Sequence, residues 1–242
     1  MRRLLLALVL LGLARPLSAA EPTEVLMGDA LRAVFGTNRA FTATGRATVQ
    51  LPASAGVMTL AVTNAMSGDN LRFDLRPLNV PGGGEMDIAA LLGGLGMDQF
   101  TLLGLAGGKG SFVVYPGLRA YAPVEPAGGT PALAAPKVAR TSLGEETIAG
   151  RKCEKQQVTI TTPGSAPQSL TVWSAPELRG FPMQIEMAAQ GATVRITYGD
   201  VRFAAPPAAA FAVPAGYERH GSVEEMMQAM IQQAMQDMLK RL

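Results

Sequence analysis

Apolar residues recur at two spacings along this chain, and the change from one to the other divides it. Between residues 23 and 35, Val25, Leu26, Ala30, Leu31, Val34 and Phe35 share one face at helical spacing, and Gly36 follows as a stop. From residue 46 the period falls to two. Ala47, Val49 and Leu51 alternate with Arg46, Thr48 and Gln50, as in a half-buried strand. Residues 57–62 and 71–75 predict two more strands, and Ser67-Gly68-Asp69-Asn70 between them suits a hairpin turn. Pro81-Gly82-Gly83-Gly84 breaks the pattern, and Met86 to Leu95 reads as a glycine-broken helix or a loop. Short strands are expected at 100–105, 111–115 and 119–124. Residues 125–136, rich in Pro, Gly and Ala, then form a long loop within one domain.

Beyond it the strand signal is stronger, at 137–148, 151–161, 169–174, 183–188 and 193–203. The connections there are short and carry Gly or Pro. Strands joined by tight turns, with no helical crossovers, predict a meandering antiparallel sheet rather than a parallel one. The chain closes with its clearest helix, residues 222–242. Ser222 and Glu225 have the spacing of a capping box. Val223, Met226, Met227, Met230, Ile231, Ala234, Met238, Leu239 and Leu242 line one side, with Lys240 and Arg241 at the negative end of the helix dipole.

The N-terminus has a separate reading. Arg2 and Arg3 precede an apolar run from Leu4 to Leu13, and Ser18-Ala19-Ala20 supplies the small residues that a signal peptidase recognises. The run is shorter than the ~20 residues a membrane span needs. We therefore expect residues 1–20 to be a signal peptide cleaved after Ala20, residues 21–242 to form a single exported domain, and the mature protein to work in a periplasm. Cleavage would remove Arg2, Arg3 and Arg15, three of the 21 basic residues, and no acid. That leaves 18 basic against 19 acidic residues, a net charge of −1, so the basic character of the precursor gives no footprint for nucleic acid. Cys153 is the single cysteine, and a small buried strand residue is its expected role.

Candidate catalytic chemistry is scarce. His220 is the only histidine, and it lies in a polar connection. A Ser-His-acid or Cys-His site would have to use it, and a His/Cys zinc site is short of ligands. Gly104 to Ser111 superficially resembles a phosphate loop, but Leu103 stands where the first Gly belongs and Gly110 where the hydroxyl follows the Lys; a hairpin turn is expected instead. Glu145-Glu146 and Glu224-Glu225 are adjacent pairs and read as solvated surface. We expect no enzyme, cofactor or His/Cys metal site.

Methionine is the unusual feature. Met226, Met227, Met230, Met235 and Met238 fall within thirteen residues. Three readings fit: an adaptable lid over a hydrophobic cavity, thioether binding of Cu(I), or simple packing on the sheet. The candidate ligand-binding lid face is Met226, Met227, Met230, Ile231 and Met238.

Residues 141–218 carry a family resemblance. Leu143-Gly144-Glu145, Gly150-Arg151-Lys152-Cys153, Trp173, Pro176-Glu177-Leu178-Arg179-Gly180-Phe181-Pro182 and Phe211-Ala212-Val213-Pro214-Ala215-Gly216-Tyr217 occur in an order that resembles a family of exported bacterial proteins similar to the LolA-like superfamily of periplasmic lipoprotein carriers. The resemblance implies an α+β, mainly β fold: a strongly curved antiparallel half-barrel with amphipathic helices over its concave apolar face. It implies a non-enzymatic binding or carrier role for a lipid or another hydrophobic group. The alternative is an envelope-associated module with a filled core that binds a protein. No nucleic-acid partner and no transmembrane segment in the mature chain are expected.

Overall fold

The structure, a computed structural model, describes residues 29–51, 56–81, 88–107, 110–124, 137–161, 167–189 and 191–239. The expected signal peptide, residues 21–28, the segments 82–87 and 125–136, and residues 240–242 lie outside that description.

The described chain is mostly strand. β1 (Ala40–Gln50), β2 (Val57–Ser67), β3 (Asn70–Asn79), β4 (Phe100–Gly104), β5 (Ser111–Tyr115) and β6 (Ala120–Pro123) form one meander. β7 (Lys137–Ile148), β8 (Arg151–Thr161), β9 (Gln168–Ala175), β10 (Phe181–Ala189) and β11 (Ala192–Arg202) form a second, and β12 (Glu218–Arg219) is a two-residue addition. Helices are few: α1 (Asp29–Val34), α2 (Ile88–Gly94) and α3 (Val223–Leu239). The strands make one large, curved, unclosed sheet in the order β12-β6-β5-β4-β3-β2-β1-β11-β10-β9-β8-β7. Every pairing is antiparallel except β12 with β6.

The two meanders meet where β1 pairs with β11. This topology puts β6 and β7 near opposite edges although they are consecutive. Thirteen residues lie between Pro123 and Lys137, and the fourteen Cα-to-Cα steps reach at most about 50 Å. Ten inter-strand steps separate the two strands, roughly 48 Å across a flat sheet. A flat sheet would leave the connection almost no slack, so curvature that draws the edges together is built into the connectivity.

Local chemistry fixes the turns. Gly68, with φ +59°, allows the tight reversal between β2 and β3. Ala149 and Gly150, with φ +50° and +77°, turn β7 into β8 with the handedness a two-residue hairpin needs. The connections after β5 and β9 share the pattern Pro-x-Leu-Arg. Each forms a single 3-10 turn that ends on an arginine in the left-handed region, Arg119 or Arg179.

Alternation sends one side of every strand into a common core. Ala43, Asn64, Phe73, Leu102, Val113 and Ala122 stand opposite one another across six strands. Ala47, Ile196, Ile185 and Val172 continue the same face over the other half. All ten are buried. At one end Phe41, Phe181, Tyr198 and Phe203 pack around each other with Phe35, which directly follows α1. Leu31 and Val34 of α1 belong to that core. Arg140 of β7 donates to the carbonyls of Ala33 and Val34, at the negative end of α1.

The opposite face is polar over the β8–β11 half, where Lys155, Trp173, Gln184, Thr197 and Arg46 form a row. Over the other half, the chain after β11 covers it. Arg72 holds Asp74 in a bidentate pair and donates to the Ala210 carbonyl at 2.7 Å, beside buried Phe211. β7 departs from the alternation. Its residues are exposed on both sides up to Ile148, because it is the terminal strand.

Candidate functional site

Two concavities open to solvent. One, of about 270 Å³, is lined by Glu146, Lys155, Trp173, Gln184, Glu186 and Arg195 on the polar face. Its charges are already paired. The Trp173 indole N–H donates to Glu146 Oε2 at 2.8 Å, Lys155 Nζ lies 5.0 Å from the Trp173 ring centre, and Arg195 Nε donates to Glu186 at 2.8 Å. The Trp173 hydrogen bond, followed by that from Lys155, holds the Glu146 carboxyl below the usual glutamate value. These contacts clamp β7 and β8 to β9. They leave no uncommitted acid or base.

The apolar face offers different chemistry. Met58, Met66, Met97, Met183 and Met187 join Met226 and Met227 in one buried cluster. Methionine has three rotatable bonds and a polarizable sulfur, so a face rich in it can repack around varied apolar shapes. Only the helix methionines stand out in the sequence, by their density. Those in β2 and β10 carry the same signal at even spacings, but a strand methionine looks like any core residue until the sheet aligns several of them.

α3 meets this face beside β6. Ser222 caps it, accepting from the Glu225 amide at 3.1 Å. Glu225 reciprocates one residue earlier than the capping box expects, accepting from the Gly221 amide at 2.8 Å. His220 lies just before this cap, its backbone amide donating to the Tyr121 carbonyl. Of the expected lid face, Met226 and Met227 are buried, 1% and 5% exposed. Met230 is only partly buried, and Ile231 is 50% exposed. The side chain of Met238 lies outside the described set. At about 100° per residue, Met230 falls between Met226 and Met227 on the helix surface. In a helix lying flat it would be the most buried of the three. The docking is therefore tighter at Met226 and Met227 than at Met230 and Ile231.

Cys153 is buried in β8, as expected, and burial raises its thiol pKa. Gly104 and Ser111 face each other at the end of the β4–β5 pair, with Leu105 N donating to Gly110 O, while Gly108 and Lys109 of the segment resembling a phosphate loop lie outside the described residues. Glu145 and Glu146 pair with Lys152 and Lys155. Among the described residues, no group of three His, Cys, Asp or Glu side chains is placed to hold a metal, and no helix is long and apolar enough to cross a membrane.

No family model matches the sequence, and no curated protein matches it. Solved structures do. The MucA/MucB complex of Pseudomonas aeruginosa matches at 13% identity and a TM-score of 0.40, over 77% of this chain and 59% of that one. The chain thus spans less than two thirds of the MucB length. A LolA superfamily protein from Nitrosomonas europaea matches at 10% identity and a TM-score of 0.37, over 81% and 98% of the two chains. The lipoprotein LppX of Mycobacterium tuberculosis matches at 13% and 0.32, over 73% and 92%. The chain is similar to these structures, a LolA superfamily member among them; what it binds has to be read from its own side chains.

Proposed function

We propose that this is a non-enzymatic periplasmic binding or carrier protein for a lipid or another hydrophobic group, taken up on the apolar sheet face beneath α3. The observation that carries the reading is the graded docking of α3. Its first turn is anchored by Met226 and Met227, while Met230, central to the same face, is only partly buried. A helix fixed at one end over a methionine-rich face can open without disturbing the sheet, and lids come from such weakly held elements. The test is native mass spectrometry of the purified mature protein for co-purified lipid, with titration of a fluorescent fatty-acid probe. We expect saturable binding near one probe per chain. No binding, together with no retained lipid, would sink the proposal.

β7 favours a second reading, a module that binds an envelope protein. It is an edge strand exposed on both faces, with Val138 and Leu143 open to solvent. Its charges and its bulge between Ser142 and Gly144 are devices that blunt an edge against pairing, which is why we place this reading second.

A further inference from the structure

Among the described residues, three buried side-chain atoms have no hydrogen-bond partner: Asn64 Oδ1, Tyr198 Oη and Gln168 Oε1. Gln168 is a half-buried residue at the start of β9. Asn64 and Tyr198 are different. Both are 0% exposed, and both lie on the apolar face. Register sets them on either side of the same strand: Tyr198 opposite Gly45, and Asn64 opposite Ala43.

β1 carries its smallest side chains there. Ala43, Gly45 and Ala47 are what it presents to this face between the two polar residues. Gly45 is required by close approach, since a Cβ would stand 2.2 Å from the Thr197 carbonyl oxygen of β11. The β11 backbone fills the place of a Gly45 side chain, so Ala43 and Ala47 are the small side chains that β1 presents beside its neighbours' orphaned polar atoms.

The hydrogen-bond capacities are specific. Asn64 Nδ2 is committed to the Arg72 carbonyl at 3.3 Å, which leaves Oδ1 as a pure acceptor. The Tyr198 hydroxyl can donate or accept, and burial raises its pKa, so it stays neutral. The side chains around them on this face are Val62, Leu75, Phe73, Ile196 and Val201. None is cationic. A phosphate or carboxylate placed there would lose its water and gain no counter-ion. A neutral hydroxyl or amide would supply the N–H or O–H that Asn64 accepts and an oxygen to which Tyr198 donates.

We infer that the Ala43-Gly45-Ala47 strip, with Asn64 and Tyr198 beside it, is a subsite for an uncharged polar group of the bound lipid, a hydroxyl or an amide. This rests on the carrier reading and narrows its ligand class to neutral amphiphiles whose polar group is buried with the chain. The methionines of the face, Met58, Met66 and Met187, are the side chains able to move aside for it.

The test is displacement of the apolar dye N-phenyl-1-naphthylamine from the full mature chain. Competitors are dodecanol, dodecanamide, dodecyl methyl ether, dodecanoate and dodecyl phosphate, each kept below its micelle concentration. The ether shares the chain but has no donor, so it separates hydrogen bonding from hydrophobicity. We expect dodecanol and dodecanamide to displace the dye about tenfold better than the ether, as one buried hydrogen bond allows, and the two anions to be weaker still. Asn64→Leu should bring alcohol and ether to within about twofold, whereas Tyr198→Phe, which removes a donor that the alcohol, amide and ether oxygens all accept from, should weaken all three competitors about tenfold and leave their order unchanged. Tyr198→Phe removes one oxygen with no change of shape, so its fold is secure, and a wild-type-like far-ultraviolet circular dichroism spectrum and cooperative thermal unfolding check that of Asn64→Leu. If the wild type binds neither dye nor amphiphile, the carrier reading fails and takes this inference with it. If the dye binds but alcohol and ether rank equally in the wild type, or Asn64→Leu keeps the alcohol–ether gap, or Tyr198→Phe leaves the three competitors at wild-type strength, this inference alone is overturned.

Discussion

Replacing both Met226 and Met227 by Ala separates a lid from a structural helix. Both side chains are buried in the main core cluster. A buried Met→Ala change costs about 2–5 kcal/mol, so the pair would remove roughly 4–10 kcal/mol if the contacts were integral to the fold and additive. That is comparable to the whole stability of a typical domain, about 5–15 kcal/mol. A helix held by its first turn behaves differently. Once the contacts are weaker than the free energy of undocking, the helix opens and the remaining loss is not felt by the sheet. The cost to global stability is then capped at the undocking energy, which we expect to be at most about 3 kcal/mol, within the sub-global range such elements occupy. Hydrogen exchange with thermal unfolding measures both quantities. The double variant should lose amide protection across α3 while β1, β2 and β11 keep theirs, and a fluorescent fatty-acid probe should enter faster. Parallel loss of protection in α3 and β1, with a stability drop above about 4 kcal/mol and unchanged probe uptake, would refute the lid.

Other expectations are independent of the ligand. Trp173 is the only tryptophan and donates to Glu146, whose carboxyl it holds below the usual glutamate value. A depressed carboxylate keeps its contribution above the ordinary value and loses it as pH falls through the native one. Tryptophan emission should therefore stay constant from neutral pH down to about 4.5 and shift only below it, a transition that Glu146→Gln should abolish. Cys153 should resist thiol reagents until the protein unfolds, and Cys153→Ala should leave probe binding intact while changing stability by no more than about 1–2 kcal/mol. Gly45→Ala should destabilise by about 3 kcal/mol or more, beyond ordinary overpacking, because its Cβ would strike the β11 backbone rather than a movable side chain; a melting temperature near that of the wild type would contradict this.

What the sequence determined by itself was local. The strand signal on either side of the Ala149-Gly150 turn placed β7 and β8 at their observed bounds, because a two-residue turn leaves little choice of register. The same logic placed α3 and its Ser222 cap, and it foresaw Cys153 as a buried strand residue. β12 escaped notice because two residues carry no period, and it exists only because β6 lies beside it. The larger decisions were tertiary. Residues 125–136 read simply as a loop; pairing of β1 with β11 is what sends the strands they connect to opposite sides of the sheet. Asn64 reads as one polar residue in a strand and Tyr198 as one aromatic in another. They become a possible subsite only when β1 comes between them, its Ala and Gly facing the same way. Residues 134 apart in sequence meet through long-range strand pairing, and one-dimensional periodicity specifies which face a side chain takes but not which strand will lie next to it.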